Sequence, residues 1–444
     1  MSVQREHLLH DLTALYAFIE NVVAGAAFKS SSTAYGPAAV EFLKFVSDLA
    51  ESCKQHIAGW LSEVDHDEEF EDRRQELGEI RKAWQELHAL IKPAFDADTL
   101  QVPSAVVDGI VRRFQELPGH ENAKFALFHT AEFNYVAVRT EALRTLAKKL
   151  RAIIPNAPMF PPDLGLIGIP YSQSRTAFAN CLVAHEIGHH LYQGTAVENI
   201  LRPMVNTALA ASFPAYEKED QPNKDSLVKA VTRWAEEIFC DIFGIALLGP
   251  CYTYAYIEAY DLSVVLDSAG KISEERIRLR TDFYERHPSH VFRLQQQAMF
   301  LHESPWWDHM ASRSARYVGL LQAVDVFPME AHIQINPKLG SLVPALNAVM
   351  PEVRRAIGAA FDGVDDGFAS FSKLNPTVQD YLANGIVPST LNIRTGKRPD
   401  DTKAFPASPF VLLNSGMEFY LTRTNQLIKS ISGEDVTAYP RRLH

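Results

Sequence analysis

Apolar residues recur every three or four positions along the first part of the chain, the pattern of helices with one buried face. The stretches L-L-H-D-L-T-A-L-Y-A-F-I and V-E-F-L-K-F-V-S-D-L-A both show this spacing. A third stretch is strongly charged but still carries an apolar stripe, which consists of Leu77, Ile80, Trp84 and Leu87. We therefore predict a helical N-terminal region over residues 1–115.

The pattern changes near residue 120. A-K-F-A-L-F-H-T-A-E-F-N-Y-V-A-V mixes β-branched and aromatic residues in near alternation, which predicts two short strands. An amphipathic helix, R-T-E-A-L-R-T-L-A-K-K-L-R-A-I-I, and a short apolar strand, L-G-L-I-G-I-P, follow. Beyond residue 310, stretches such as P-E-V-R-R-A-I-G-A-A-F predict further helices. The order predicts a mostly helical α+β protein, with a central domain over 116–310 and a helical C-terminal region over 311–444.

Composition and charge narrow the class of protein. With 444 residues the chain is long enough for two or three domains with large cores. Hydrophobic residues make up 47% and charged residues 22%, which is typical of soluble globular proteins. The formal net charge of −11 argues against a broad nucleic-acid surface, which would need clustered lysine and arginine. We expect no nucleic-acid partner.

Neither the N-terminus nor any apolar run suggests export or membrane insertion. M-S-V-Q-R-E-H-L-L-H-D carries charges where a signal peptide would need apolar residues. The longest apolar candidate is interrupted by Asp241 and closed by Gly249-Pro250, so no run reaches the roughly 20 residues of a membrane span. The four cysteines lack the paired spacing of a zinc ribbon and are too few for a disulfide scaffold. A cytoplasmic protein without membrane spans is the expectation.

Candidate chemistry is concentrated in V-A-H-E-I-G-H-H-L, residues 183–191. Positions four apart lie on one helical face, so His185 and His189 would project one turn apart toward a single ion. Glu186 is adjacent and can reach the same place without binding the ion. H-E-x-x-H on a helix is a zinc-hydrolase signature for this reason. The alternative is that both histidines are ordinary core residues.

A second long helix offers a further metal ligand. In W-A-E-E-I-F-C-D-I-F-G, residues 234–244, the carboxylates of Glu237 and Asp241 are four apart and share a face. Buried acids need partners, and a metal ligand together with an aspartate that holds a ligand imidazole would supply them. Glu236 points about 100° away, so only one of the two adjacent glutamates is expected to face the metal. The predicted ligands are His185, His189 and Glu237.

H-E-x-x-H followed by E-x-x-x-D resembles the pattern of the gluzincin zinc metallopeptidases. The long gap between the two motifs is most similar to that of the HtpX and CAAX-prenyl-endopeptidase group. That group also has a downstream H-P segment with an arginine six residues after the histidine, and H-P-S-H-V-F-R places His287 and Arg293 there. His290 is the weaker candidate for this histidine. The chain departs from the group in having no predicted membrane span, so membrane or prenylated substrates are not carried over.

The resemblance implies a zincin-like core, a bound Zn²⁺ and a metalloendopeptidase that acts on protein or peptide substrates. Glu186 would be the general base for a zinc-activated water. The resemblance places His287 near the substrate carbonyl, and Arg293 would assist it or orient Glu237 and its helix. Asp241 would hold a ligand imidazole. We expect a peptide to pair with residues 164–170 as an added antiparallel strand.

Two other functions stay open at this point. One is a zinc hydrolase that acts on a small amide. The other is a regulatory or binding protein that keeps a zincin fold without catalysis. The intact Glu186 argues against the second, because a non-catalytic protein would have no chemical need for a general base at that position.

Overall fold

The structure is a computed structural model that describes most residues of the chain. These residues are 3–30, 37–63, 70–96, 104–130, 135–138, 140–170, 179–194, 197–213, 216–260, 262, 272–273, 287–304, 306–313, 315–328, 331, 342–362 and 413–414.

The chain divides into two compact units. Unit 1 consists of Met1–Gln101 and Asn122–Ser172, and unit 2 consists of Val102–Glu121 and Gln173–His444. This division differs from the three regions predicted from the sequence, because the predicted central domain contributes residues to both units. Most of the predicted C-terminal helical region, beyond residue 362, lies outside the described residues.

Helices dominate both units, and the small sheet lies in unit 1. The elements of unit 1 are α1 (Val3–Ser30), α2 (Pro37–Glu63), α3 (Phe70–Asp96), β1 (Lys124–Thr130), β2 (Val136–Val138), α5 (Thr140–Ile153) and β3 (Leu164–Pro170). Those of unit 2 are α4 (Ser104–Gln115), α6 (Val183–Gly194), α7 (Val197–Ser212), α8 (Gln221–Leu248), α9 (Pro250–Ala259), α10 (His290–His302), α11 (Trp306–Arg313), α12 (Ala315–Asp325) and α13 (Val343–Ala360). The prediction of a mostly helical α+β protein is confirmed.

The apolar stripe predicted for α3 is part of the core of unit 1. Leu77, Ile80, Trp84 and Leu87 are at most 3% exposed. The same core contains apolar residues of α1, α2 and α5 and of the strands. The Trp84 indole donates a hydrogen bond to Cys53 Sγ over 3.2 Å, so even the polar atom of this buried ring has a partner. The helical periodicity of the sequence therefore identified the buried face correctly.

The sheet corrects one prediction. Its strand order is β1-β3-β2, so β3 is the central strand. β1 pairs with it in parallel over all seven positions, and β2 pairs antiparallel with Leu166–Gly168 on the other side. All seven residues of β3 are buried. The expectation that a substrate strand pairs with residues 164–170 is wrong, because β3 is not an edge. Its unbroken apolar run is the pattern of a strand buried on both faces.

In unit 2, two helices have well-defined ends that bear on the candidate site. Asp220 caps α8 by accepting a hydrogen bond from the Asn223 amide over 3.0 Å. At the other end Gly249 adopts a positive φ of 72°, which favours glycine, and Pro250 begins α9. The turn sends α9 back beside α8. None of the described helices is both long enough and apolar enough to cross a membrane.

Candidate metal centre

The H-E-x-x-H segment forms the helix α6, as predicted, and a 3₁₀ turn, Ala179–Leu182, leads into it. His185 and Glu186 are buried, with 7% and 6% exposure. The rings of His185 and His189 lie 4.9 Å apart and nearly perpendicular. Burial alone would lower the pKa of His189, but a hydrogen bond to Glu236 and the charges of Glu237 and, to a smaller extent, Glu186 raise it. The four-residue spacing therefore brings two imidazoles and one buried carboxylate to the same part of unit 2.

Helix α8 packs beside α6 and adds the predicted acidic ligand. Glu237 Oε2 lies 3.4 Å from His185 Nε2, and Glu237 Oε1 lies 3.6 Å from His189 Nε2. One carboxylate thus faces the Nε2 atoms of both imidazoles. Burial alone would raise the pKa of Glu237, but hydrogen bonds from His185 and His287 hold it well below its usual range. The carboxylate is therefore an anion.

Asp241, one turn further along α8, is fully buried and holds the other edge of His185. Its Oδ1 accepts a hydrogen bond from His185 Nδ1 over 2.9 Å. Oδ1 also accepts from Arg293 Nη2 at 2.8 Å and from the Tyr252 hydroxyl at 2.7 Å, while Oδ2 accepts from Arg293 Nε at 2.7 Å. Burial would raise the pKa of Asp241, but Arg293 and His185 keep it well below its usual range. These contacts are those expected of an aspartate that orients an imidazole.

Glu236 holds the corresponding edge of His189. Its Oε1 accepts a hydrogen bond from His189 Nδ1 over 2.9 Å, and the two side chains are 13% and 14% exposed. The adjacent glutamates thus contact opposite edges of the imidazoles, with Glu237 at Nε2 and Glu236 at Nδ1. From the sequence we expected only one of the two glutamates to face a metal, and Glu236 was left without a role.

The predicted downstream residues also lie here. Arg293, on α10, is 5% exposed, and its Nη1 lies 3.3 Å from Glu237 Oε2 while its other nitrogens bond Asp241. His287 precedes α10, and its Nδ1 lies 3.2 Å from Glu237 Oε1. Its side chain is 46% exposed, which leaves part of the ring open to solvent. Arg293 is thus placed to orient Glu237 and Asp241, whereas His287 lies at the rim.

His290, the competing histidine, has a different partner. Its Nδ1 is hydrogen-bonded to the Tyr256 hydroxyl over 2.6 Å. The Arg293 guanidinium lies over the same Tyr256 ring, 5.2 Å from its centre. His290 is therefore part of the aromatic surroundings of Arg293.

The donor set fits a small divalent cation on two grounds. In a tetrahedral zinc site with bonds of about 2.0–2.1 Å, neighbouring ligand atoms are about 3.3 Å apart. The two distances from Glu237 oxygens to imidazole nitrogens are 3.4 and 3.6 Å.

The second ground is the charge of the cluster. Burial alone would lower the pKa of His185, but hydrogen bonds to Asp241 and Glu237 raise it to about 10. The cluster is short of positive charge, which a cation would supply.

Cys240 offers a second donor set. A nitrogen of His185, a nitrogen of His189 and the Cys240 sulfur lie within 4.8 Å of one another. Cys240 is fully buried, and burial together with the charges of Glu236 and Glu237 raises its pKa well above the usual value. A bound metal would itself lower that pKa, because the thiolate is the form that binds metal. The distances from the Glu237 oxygens to the two Nε2 atoms, 3.4 and 3.6 Å, are close to those between neighbouring zinc ligands, and Glu237 is the third donor in the function proposed below.

Two glycines allow the helices of the site to approach closely. A Cβ atom at position 188 would lie 2.9 Å from the backbone Cα of Cys240. A Cβ atom at position 244 would lie 2.5 Å from the Tyr252 ring. Gly188 therefore lets α6 approach α8, and Gly244 makes room for the tyrosine that bonds Asp241.

All seven residues predicted for the site lie in unit 2, on α6, on α8 and at or just before the start of α10. The sequence reasoning missed Glu236 and Tyr252. The signal for Glu236 was present in the adjacent acids of the largely apolar stretch that follows Trp234 in α8. Tyr252 stands among three nearby tyrosines of a buried stretch, and nothing in the sequence distinguishes it from them.

Comparison of the chain with protein-family models, with curated proteins and with solved structures gives no match.

Proposed function

We propose that the chain is a zinc-dependent metallopeptidase with a zincin-like catalytic core. One observation carries the proposal. The Nε2 atoms of His185 and His189 both face the Glu237 carboxylate, while each Nδ1 is hydrogen-bonded to another carboxylate. When each Nδ1–H donates to its carboxylate, the neutral imidazole has its lone pair on Nε2, and a metal ion there would take the place of the proton that His185 shares with Glu237 in the metal-free chain.

The proposed ligands are His185, His189 and Glu237. A bound Zn²⁺ supplies Lewis acidity, which polarises the substrate carbonyl and makes water acidic enough to react near neutral pH. Three protein ligands are the number found in catalytic zinc sites, whereas structural sites usually have four. The net negative charge of the surrounding carboxylates favours retention of the cation.

Glu186 is the proposed general base. It would accept a proton from water as the water oxygen bonds to the carbonyl carbon. It would then pass that proton to the nitrogen of the leaving amine as the carbon–nitrogen bond breaks. His287, at the exposed rim, would donate a hydrogen bond to the carbonyl oxygen while negative charge develops on it. Arg293 holds Glu237 and Asp241 in place and takes no part in proton transfer.

The test compares wild type with Glu186→Gln. Both full-length proteins are purified with zinc and incubated with a peptide library, and new peptide termini are identified by mass spectrometry. The glutamine keeps the size of the side chain but cannot accept the proton. We expect turnover to fall about 10²- to 10⁴-fold with zinc content and melting temperature unchanged. Glu198→Gln is a matched control, since Glu198 is an exposed glutamate on α7 that forms an ion pair with Arg202.

Two results would count against the proposal. Near-normal turnover in Glu186→Gln would exclude this residue as the base. Wild type that binds zinc but cleaves no peptide would favour a small-amide hydrolase, if simple amides are cleaved, or a non-catalytic binding protein if they are not. A cytoplasmic setting stays a prediction, which the four free and buried cysteines support.

A further inference from the structure

Both imidazoles of the site are held by a carboxylate on the Nδ1 edge. Asp241 bonds His185 and Glu236 bonds His189, each over 2.9 Å. A carboxylate that accepts from Nδ1–H orients the ring and makes Nε2 a stronger donor to a cation. The two contacts have the same length and the same partner atom, so distance does not distinguish them.

The surroundings of the two carboxylates differ. Asp241 is fully buried and accepts hydrogen bonds from two nitrogens of Arg293 and from Tyr252, so its negative charge is matched by a guanidinium. The Glu236 side chain is 13% exposed. In the described part of the chain, the basic group within ion-pair distance of Glu236 is His189 itself.

We propose that Glu236 is a positioning residue for His189, and that its negative charge, beyond its hydrogen bond, strengthens the binding of a divalent cation. The inference rests on the metal site of the proposed function and does not require peptide hydrolysis. The Asp241 charge is matched by Arg293, so Asp241 mainly orients its imidazole. Glu236 has no such partner among the described residues, and its charge acts on His189 and on the cation.

Substitutions at position 236 separate charge from hydrogen bonding. In Glu236→Gln the amide oxygen can still accept from His189 Nδ1, but the charge is lost. Glu236→Ala loses both. Changes to such outer partners of metal-bound histidines typically cost about 10- to 100-fold in metal affinity. We expect the zinc dissociation constant to rise about 10-fold in Glu236→Gln and closer to 100-fold in Glu236→Ala.

The experiment measures zinc affinity in the full chain by competition with a chelating dye. Co²⁺ absorption follows the ligand geometry, and thermal unfolding of the metal-free proteins follows the fold. Glu198→Gln on α7 is the matched control for losing one glutamate charge and should keep wild-type affinity. We expect weaker zinc binding in both Glu236 variants, a changed Co²⁺ spectrum in Glu236→Ala, and metal-free melting temperatures close to wild type in Glu236→Gln.

Wild-type zinc affinity in Glu236→Gln would overturn the inference, as would equal losses in both variants that follow a fall in the metal-free melting temperature. The first result would leave the proposed function intact. The graded loss of affinity in a protein that cleaves no peptide would support this inference and count against the proposed function. Wild type that binds no zinc would overturn both.

Discussion

The two units bury different kinds of side chain. Among the described residues of unit 1, no acidic or basic side chain is buried, and the core consists of apolar residues of the helices and strands. Unit 2 buries several acidic and basic residues: Arg113, His185, Glu186, Glu237, Asp241 and Arg293. Burying a charge is costly unless it is paired. The apolar core of unit 1 is typical of packing for stability, whereas the buried charges on α6, α8 and α10 of unit 2 are the basis of the proposed metal site.

The largest expected effect is the loss of bound zinc when a proposed ligand in unit 2 is removed. His189→Ala should lose nearly all zinc, because it removes one of three proposed ligands. His190→Ala is the matched control, since it removes the adjacent histidine, whose half-buried ring packs edge-on against Phe114. Elemental analysis of the purified proteins should find about one zinc per chain in wild type and in the control. Full zinc retention in both His189→Ala and Glu237→Ala would show that these residues are not the metal ligands of unit 2.

Removing the buried guanidinium of Arg293 should strongly lower the free energy of unfolding. Arg293→Met leaves Asp241 and part of Glu237 without their guanidinium, and breaking a buried ion pair in this way typically costs about 3–5 kcal/mol. Leu146→Ala in unit 1 should cost a comparable 2–5 kcal/mol, roughly, by creating a cavity. Denaturant unfolding measures both, and zinc analysis separates them. Only the arginine variant should also bind zinc more weakly. If Arg293→Met were as stable as wild type, the ion pairs of Arg293 would make no net contribution to the free energy of unfolding.

His287 should affect turnover without affecting stability. We expect His287→Ala to keep its fold and zinc, to leave the Michaelis constant little changed, and to lower turnover about 100-fold, the effect of losing one transition-state donor. Steady-state kinetics on a cleaved peptide measures this. If turnover were unaffected while His290→Ala abolished it, the roles of the two histidines would be reversed.

The smallest expected effect is a pH dependence of the melting temperature, which we expect for Asp241 in unit 2 and not for the apolar core of unit 1. The pKa of Asp241 is lower in the folded chain than its ordinary value of 3.8, so its stabilisation is present above that pH and is lost as the pH falls. The melting-temperature gap between metal-free wild type and Asp241→Asn should therefore narrow as the pH falls from about 5 to about 2. The gap for Leu146→Ala should stay constant, because leucine does not titrate. A constant gap for both would contradict the lowered pKa.

Much of this arrangement could be predicted from residue spacing. The four-residue intervals of His185 and His189 and of Glu237 and Asp241 each define one helical face, and the structure brings both faces together. Helical geometry fixes directions within about one turn, so a short motif on a regular helix is predicted well. The helical class and the buried stripe of α3 followed from the same periodicity.

The errors arose where spacing gives no information. An imidazole has two nitrogen atoms on different edges, so an acid about 100° away from Glu237 can still bond the same ring, as Glu236 does. Tyr252 contacts Asp241 only because the turn after α8 folds α9 back. The pairing partners of β3 depend on the whole sheet, although its unalternating apolar sequence favoured a central strand.

Gly188 gives the site a constraint that also bears on how the sequence can vary. The x-x of H-E-x-x-H is usually regarded as a spacer, but a side chain at position 188 would meet the backbone of α8 at Cys240. Backbone cannot rotate away as a side chain can, so even alanine would move α8 relative to α6. Glu236, Glu237 and Asp241 would move with it. Variation at a residue with no chemical group of its own would therefore change every distance between the histidines and their acids.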